Sequence, residues 1–311
     1  MNKHCFESCD LRTAGKRLLL ALRAAVMLAL VAASASTPAA AQSSTGQETK
    51  PAQQEPADQD LINPDRPGIA DGSNVVGRRR FQAETGIQQE FRRDGESREH
   101  TLFLPTLLRF GISSRWEARV EGNTFTSVRT FDPTTETSRS SGFAPVSIGV
   151  KYHIQDSDGA GHPSLGTIFR IFPESGSGDF HTNHVTADLR LAADWDFAPK
   201  LSLNPNVGIA RYEDNQGQPF VAGLFALTLN YLPTKKFNPF IDMGLQAPEE
   251  RGGKSSLIFD TGVAYIVGHN IQLDASVGEG AHGRTPPRPF LSAGFSIRSK
   301  AAGHKKKDAE D

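Results

Sequence analysis

The sequence predicts an all-β protein, a transmembrane antiparallel β-barrel of twelve strands joined as an up-and-down meander. Three observations support this prediction. Apolar and polar residues alternate along one segment after another, which is the pattern of a strand with two chemically different faces. Several of these segments reach the length of about 9–11 residues that a tilted strand needs to cross a bilayer. The connections between them alternate between short and longer, as they do in outer-membrane barrels.

The N-terminus has the features of a cleavable secretory signal peptide. Four Lys or Arg residues lie between positions 3 and 17, and the run 24–35 that follows is apolar and uncharged. Ala39-Ala40-Ala41 supplies a small-x-small site, so we expect residues 1–41 to be removed by cleavage near Ala41. An uncleaved anchor is the alternative, but the run is shorter than the about 20 residues of a membrane-spanning helix.

Composition excludes several classes of chemistry from the exported chain. Cys5 and Cys9, the two cysteines, both precede the cleavage site, so we expect no disulfide, no thiolate chemistry and no lipid anchor on an N-terminal cysteine. Without residues 1–41 the chain has 29 Lys/Arg and 33 Asp/Glu, a formal charge of −4. A mildly acidic chain without a basic patch is not expected to bind nucleic acid.

The rest of the chain divides by composition. Residues 42–60 are polar and contain no aromatic residue, which predicts a disordered periplasmic spacer. Residues 61–79 form a lead-in segment, residues 80–298 the barrel, and residues 299–311 a polar C-terminal tail.

The alternation is clearest in 185–197, where Val185, Leu189 and Trp195 share one face and Asp188 and Arg190 lie on the other. A helix would mix these two sets on one surface, whereas a strand separates them. The twelve predicted strands are 80–91, 101–112, 116–126, 144–154, 164–172, 185–197, 201–212, 220–232, 237–246, 256–267, 271–278 and 289–298.

The connections predict which end of the barrel faces which compartment. We expect the periplasmic turns at 113–115, 155–163, 198–200, 233–236 and 268–270. We expect the longer external loops at 92–100, 127–143, 173–184, 213–219, 247–255 and 279–288. Pro105 and Pro205 fall within strands, where each lacks a donor for the sheet, so we expect a bulge or local bend at both sites.

Aromatic residues indicate that the apolar face is the outer one. Soluble barrels and β-sandwiches also alternate, so alternation alone does not decide this. Six aromatic residues lie on the apolar face of their strands and within a few residues of predicted periplasmic turns. This is the arrangement expected of an interface girdle in a bacterial outer membrane. They are Trp116, Tyr152, Trp195, Phe197, Tyr231 and Tyr265.

The polar face is then the lumen, and it carries charges of both signs. The candidate lumen-lining residues are Glu84, Glu90, Arg109, Glu117, Arg119, Glu121, Lys151, His153, Arg170, Asp188, Arg190, Asp194, Asp242, Asp260 and Asp274. Charge is costly in hydrocarbon but is accepted by an enclosed, hydrated lumen. An ion-pair network that stiffens the barrel and a polar path for solutes are both compatible with this set.

Motifs for catalysis, cofactors and metals are weak, and we predict no catalytic, cofactor-binding or metal-ligating residue. The glycine pattern at 278–283 resembles a dinucleotide motif, but the prolines that follow cannot begin the required helix, so we expect an external loop. His181 and His184 lack further ligands nearby, and 174–179 lacks the first glycine of a nucleophile elbow.

Several segments resemble the outer-membrane protein family labelled "putative MetA-pathway of phenol degradation". These are 60–73, which contains Asp65-Arg66-Pro67-Gly68, then 81–86, 107–119, 146–152 and 293–298. The resemblance implies an outer-membrane barrel that imports small organic compounds, aromatic compounds among them, and it brings no catalytic residues. It also implies outer-membrane lipid and the barrel-assembly machinery as partners.

The segment around Asp65 and Arg66 precedes the first strand and has two interpretations. Pro67 and Gly68 favour a turn, so it is either a structured lead-in or a segment at the periplasmic mouth whose charges pair with lumen charges.

The favoured function is a channel for passive or facilitated diffusion of small organic solutes through the polar lumen. The alternatives are a structural or surface-binding barrel and an outer-membrane hydrolase.

Overall fold

The computed structural model describes residues 60–134, 137–158, 161–214, 217–246, 253, 255–282 and 285–300. The predicted signal peptide, the spacer up to residue 59 and the tail from residue 301 lie outside the described residues. Among the described residues, no helix is long and apolar enough to cross a membrane.

The described chain forms one antiparallel sheet that closes on itself. Its strands are β1 (Phe81–Asp94), β2 (Ser97–Gly111), β3 (Trp116–Phe131), β4 (Ser138–Gly142), β5 (Ser147–Gln155), β6 (Ser164–Phe172), β7 (Thr186–Ala198), β8 (Leu201–Glu213), β9 (Pro219–Tyr231), β10 (Phe237–Gln246), β11 (Ser256–Gly268), β12 (Ile271–His282) and β13 (Thr285–Arg298). Consecutive strands pair except β4 and β5, which both pair with β3, and β1 closes the barrel by pairing with β13 from Gln82↔Arg298 to Glu90↔Phe290. This confirms the predicted antiparallel barrel of twelve strands.

The additional short strand, β4, shares the fourth position of the wall with β5. It pairs with β3 over Thr126–Thr130, whereas β5 pairs with β3 over Trp116–Glu121. The sequence analysis placed β4 in the loop 127–143 because Ser-Arg-Ser-Ser-Gly shows no apolar alternation. The fourth wall position is therefore an interrupted strand.

Three of the predicted long loops contain strand segments: in 127–143 these are β4 and the end of β3, which runs on to Phe131, and the other two are the loops 92–100 and 279–288. β1 runs to Asp94 and β2 begins at Ser97, so 92–100 is a tight hairpin. In the same way β12 runs to His282 and β13 begins at Thr285, so most of 279–288 belongs to these two strands. The glycine motif at 278–283 thus begins in β12 and is not a loop. Around the first hairpin both faces carry charge, and the alternation that marks a lipid-facing strand fades there.

The pairing is irregular at both prolines within strands. At Pro105 the pairing of β2 with β3 shifts register between Phe103 and Pro105, which confirms the expected irregularity. At Pro205 the pairing with β9 continues without a shift in register. On the other side of β8 the ladder with β7 is interrupted at Pro205 and Asn204, between Ala192↔Asn206 and Trp195↔Leu203, so the expected irregularity lies on that side.

Large apolar side chains lie on the outside of the wall and charged side chains on the inside. Outward residues such as Ile241, Leu229 and Ile148 are 61%, 40% and 59% exposed, while Arg109, Glu117 and Lys151 are almost completely buried. This is the reverse of a soluble barrel and matches a wall surrounded by lipid.

We call the end where β1 begins and β13 ends the near end, and the opposite end the far end. Outward aromatics cluster at the near end: Trp116 faces Tyr152 across β3 and β5 with ring centroids 4.6 Å apart, and Trp195 lies 5.9 Å from Phe197. Tyr231 and Tyr265 are the opposite partners of Leu201 and Phe237. All six candidate girdle residues lie near the near-end termini of their strands, and Trp116, Trp195, Tyr231 and Tyr265 are exposed.

Candidate functional site

The lead-in segment enters the lumen from the near end and returns to it before β1. Near its start, Ile62 N donates to the carbonyl of His269 at 2.7 Å, and Arg298 Nη2 donates to the Asp60 carbonyl at 2.7 Å. It leaves where Arg79 N donates to the Gly111 carbonyl (2.8 Å) and Gly111 N donates to Arg80 (2.9 Å). Between these points residues 63–76 cross the barrel interior.

Asp65 lies among three cations of the wall. Its carboxylate accepts from Lys151 Nζ at 2.9 and 3.0 Å and from Arg119 Nη1 at 2.8 Å, and Arg109 Nη1 is 3.5 Å away. Burial raises the pKa of this carboxyl, but the positive charges of Arg109, Lys151 and Arg119 lower it by a larger amount. The pKa of Asp65 therefore lies below the ordinary value. Asp65 is therefore ionised at neutral pH.

Arg66 reaches the opposite side of the lumen. Its Nη2 donates to Asp274 at 2.9 Å, and its backbone N donates to Glu84 at 2.8 Å. The guanidinium lies against Gly86 and Gly294, which face each other across β1 and β13. A Cβ atom at Gly86 would lie 2.6 Å from Arg66 Nη2, so the two glycines provide the room that Arg66 occupies.

The remainder of the lead-in is held by groups from further strands. Asp71 accepts from Arg119 Nη2 (2.9 Å) and Arg190 Nη1 (3.3 Å), and exchanges hydrogen bonds with Asn206. Ser73 N donates to Asp194 at 2.8 Å, and its hydroxyl contacts Asp194 and Ser164. The amides of Ile69 and Val76 donate to Asp242 (2.8 Å) and Glu117 (2.9 Å).

Other charges of the inner face pair with one another. Arg109 donates to Glu117 at 2.7 and 3.0 Å and to Glu84 at 3.0 Å. Arg170 donates to Glu121 at 2.6 Å and to Asp188 at 2.7 and 3.1 Å. Most of these pairs join neighbouring strands, while the Arg170–Glu121 pair joins β6 to β3 across β5. They form an ion-pair network between wall residues, independent of the lead-in.

The remaining candidates also lie on the inner face but pair less completely. Asp242 and Asp260 face each other across β10 and β11, and among the described residues neither has an ion-pair partner. Glu90 accepts from Gln88 at 2.9 Å. His153 lies at the near end, where it contacts Asp156 (2.8 Å) and the Ser73 carbonyl (3.2 Å).

A cavity of about 620 Å³ lies on the far side of the lead-in. Its floor is formed by Asp65–Ile69, and its walls bring together charges and aromatic rings. Wall residues include Glu90, Arg119, Glu121, Arg170, Arg190, Asp260, Arg288, Phe103, Phe172 and Phe290. The arrangement offers apolar surface and charges of both signs to a small molecule.

Sequence reasoning missed several residues of this cavity. Phe103 and Phe290 lie on the same face of their strands as the charged residues and line the cavity. Because both are aromatic, the alternation of polar and apolar residues did not predict that they face the lumen. Arg288 was placed in a predicted loop and lies in β13. The role of Gly86 and Gly294 could have been predicted from the sequence, because a glycine within a strand indicates that another group approaches the backbone closely there.

The histidine pair of the sequence analysis does not form a metal site. His184 Nδ1 lies 3.4 Å from Glu213, and His181 contacts the Gly176 carbonyl at 3.4 Å. Within the part of the chain that the structure describes, no group of three or more His, Cys, Asp and Glu residues is placed to hold a metal ion.

Comparisons with known proteins identify the fold and the family. A family model described as "Putative MetA-pathway of phenol degradation" matches residues 64–299. The COG4313 outer membrane channel from Pseudomonas putida F1 is similar with a TM-score of 0.55 and 13% identity, over 75% of this chain and 99% of that chain. The toluene transporter TbuX from Ralstonia pickettii has a TM-score of 0.37 and 11% identity, over 73% of this chain and 90% of that chain. None of the curated proteins compared with the chain matches it.

Proposed function

Because the chain belongs to the family labelled "Putative MetA-pathway of phenol degradation", we propose that it is an outer-membrane channel for diffusion of small organic solutes, aromatic compounds among them. The observation that carries the proposal is the cavity of about 620 Å³ enclosed by a charged inner wall inside an apolar outer surface. A barrel filled entirely by side chains would leave no such space. In this proposal solutes pass through the barrel unchanged, without catalysis.

The near end is the periplasmic end in this proposal. The connections there are mostly short, and the lead-in enters there, as expected of a chain that reaches the outer membrane from the periplasm after its signal peptide is cleaved near Ala41. The girdle of Trp116, Tyr152, Trp195, Phe197, Tyr231 and Tyr265 would then lie at the periplasmic interface of the bilayer. Outer-membrane lipid and the barrel-assembly machinery are the partners that this placement requires.

The lining of the cavity supports the solute class. Phe103, Phe172 and Phe290 offer ring faces and edges to an aromatic molecule. Arg288 and Glu90 could bind a hydroxyl or other polar substituent through hydrogen bonds. Both kinds of contact in one space suit a small aromatic molecule with a polar group better than a sugar or an inorganic ion.

The lead-in limits the width of the path, because Asp65 and Arg66 connect opposite sides of the wall. We therefore expect small single-channel currents from the protein in planar bilayers, and larger currents from a variant that lacks residues 60–75. A folded barrel that gives no current and does not accelerate phenol uptake into cells would contradict the channel. A deletion that changes neither current nor stability would contradict the restricting role of the lead-in.

A further inference from the structure

The outer face of the barrel carries a group of basic residues at the far end of its first four strands. Arg93 of β1 lies directly opposite Arg98 of β2, and Arg129 of β3 lies directly opposite Arg139 of β4. His100 lies between the two pairs, because it is opposite Arg129 on the strand that also carries Arg98. All five side chains are exposed. We call these five residues the outer basic patch.

The register of the strands places the patch on the lipid side of the wall. Thr101 of β2 and Thr126 of β3 are 7% and 2% exposed and have the inner-face positions of their strands. Because successive side chains of a strand point to opposite faces, Arg98 and Arg129 lie on the outer face. Their partners on β1 and β4 share that face, as directly opposite residues do.

The patch has no counter-ion within the described part of the chain. None of its four arginines forms an ion pair there, and Arg93 alone makes a side-chain hydrogen bond, to the Gly95 carbonyl at 3.3 Å. The carboxylates nearest along β1 and β2, Asp94 and Glu99, have inner-face positions. Like charges directly opposite each other destabilise a sheet. An anion from outside the chain would therefore stabilise this part of the wall.

The patch lies just beyond the apolar band of the outer surface. Along β3, Arg129 follows Trp116 of the girdle by roughly 43 Å, at about 3.3 Å per residue. With a tilt of about 40° this is roughly 33 Å above the girdle, and the apolar band of such barrels is about 25 Å tall. Arg98 lies at the same level, since it is opposite Phe131 of β3. This is the level of the lipid head groups at the far end.

A groove of about 420 Å³ lies at the first pair of arginines. It is lined by Phe91, Arg92, Arg93, Arg98, His100 and Pro289. The rings of Phe91 and His100 meet edge to face with centroids 5.2 Å apart, and this pair lies closer to the near end than the pair of Arg93 and Arg98. The groove thus presents rings on the side of the acyl chains and guanidinium groups on the side of the head groups, which is the order of groups within a lipid.

We propose that the outer basic patch binds the phosphate groups of a phosphorylated glycolipid in the outer leaflet of the membrane. The guanidinium group suits this ligand, because its planar fork donates two parallel hydrogen bonds to phosphate oxygens. Directly opposite residues have Cβ atoms about 4.5–5.5 Å apart, so both arginines of a pair can bind the same phosphate. The bound anion removes the repulsion within each pair. The inference rests on the orientation given under the proposed function, with the far end outside, and not on the passage of solutes.

Removing one arginine from each opposite pair tests the patch. Arg98→Gln with Arg129→Gln separates both pairs of like charge, so we expect the protein without lipid to be as stable as the native chain or more stable. The same variant should bind diphosphoryl lipid A roughly 30-fold more weakly, which corresponds to about 2 kcal/mol for two arginines at an anionic surface. If this variant does not fold, Arg93→Gln with Arg139→Gln removes the other member of each pair.

The matched control is Arg115→Gln with Arg211→Gln, which removes two exposed arginines outside the patch and changes the net charge equally. Binding is measured by native mass spectrometry of the protein purified in detergent. The probes are diphosphoryl lipid A, the same lipid without its phosphates, phosphatidylglycerol and inorganic phosphate. The unfolding temperature with each probe is read from heat-modifiability gels. We expect only diphosphoryl lipid A to raise the unfolding temperature of the native chain, and the control pair to behave as the native chain does.

Four results would overturn the proposal. Equal binding of lipid A with and without phosphates would mean that the apolar wall alone holds the lipid. An equal loss of binding in the control pair would mean that net charge alone attracts it. Inorganic phosphate that stabilises the native chain as strongly as the lipid would identify a site for free anions. A preference for phosphatidylglycerol would contradict both the glycolipid and the orientation of the barrel. The channel is tested separately by its current, so its failure and the failure of the patch are distinguishable.

Discussion

Arg66 of the lead-in lies against the facing glycines Gly86 and Gly294 and reaches Asp274 at 2.9 Å. Its neighbour Asp65 binds Lys151 and Arg119 on the other side of the lumen. Two consecutive residues thus connect opposite walls of the barrel. This relationship makes the lead-in a structural element of the lumen, and its consequences can be measured.

A larger side chain at Gly86 should displace the Arg66 side chain from its place against the wall. In Gly86→Ala the new Cβ atom displaces either the Arg66 guanidinium or the Ala293 carbonyl, 2.5 Å away, at a cost of about 1–3 kcal/mol, the range for overpacked sites. We expect a lower unfolding temperature on heat-modifiability gels and a larger single-channel current. Gly223→Ala is the matched control, since a Cβ there meets nothing within 4 Å. Identical behaviour of the two variants would show that the packing of Arg66 has no consequence.

Neutralising Asp65 should detach the lead-in from the basic side of the lumen. In the described chain Asp65 is the only carboxylate in ion-pair contact with Lys151, so Asp65→Asn leaves a buried ammonium without its counter-ion. Breaking such a pair costs about 3–5 kcal/mol. We expect faster cleavage of the lead-in by thermolysin before Ile69 in the folded barrel, and a larger current. Asp132→Asn, at a fully exposed aspartate of the far end, should change neither.

The contact of Asp65 also predicts a pH dependence. Its pKa is lower in the folded protein than the ordinary value of 3.8, so its contribution is complete above about pH 4 and is lost as the pH falls through the lowered value. Resistance of the lead-in to proteolysis, assayed with thermolysin near neutral pH and with pepsin at each acidic pH, should therefore be constant from neutral pH to about pH 5 and decrease only in stronger acid. Release of the lead-in between pH 5 and pH 7 would show that a different group controls docking.

The lumen should favour cations over anions. Glu90 and Asp260 line the cavity and Asp242 faces Asp260, and among the described residues none of these three forms an ion pair. Of the arginines that line the cavity, Arg66, Arg119, Arg170 and Arg190 contact carboxylates, and Arg288 is the one without an ion pair in the described part of the chain. Two facing carboxylates do not both ionise freely, but together with Glu90 they leave an excess of negative charge over Arg288. We expect a reversal potential of cationic sign in a KCl gradient, and a reduced one in Asp242→Asn with Asp260→Asn. Anion selectivity of the native channel would contradict this distribution of charge.

Local patterns in the sequence predicted the wall but not the way the lumen is filled. Alternation over 185–197 and the aromatics near the turns are set by the lipid on one side and the lumen on the other, so they are visible residue by residue. β4 and the far ends of β1 and β2 lie where both faces are polar, and there the pattern loses its signal. The charged wall residues that contact the side chains of Asp65 and Arg66 are 44 to 208 residues away in the chain. No local spacing indicates which wall charge each of them meets.

The central claim is that the apolar outer face of the barrel contacts lipid. Trp116 and Trp195 are the only two tryptophans of the chain, and both lie on that face near the same end. Intrinsic fluorescence therefore reports on this surface alone. In vesicles of brominated lipids we expect strong quenching by bromine near the headgroup end of the acyl chain, weaker quenching by bromine at the bilayer centre, and little quenching by aqueous acrylamide. Strong quenching by acrylamide with none by any brominated lipid would contradict the claim.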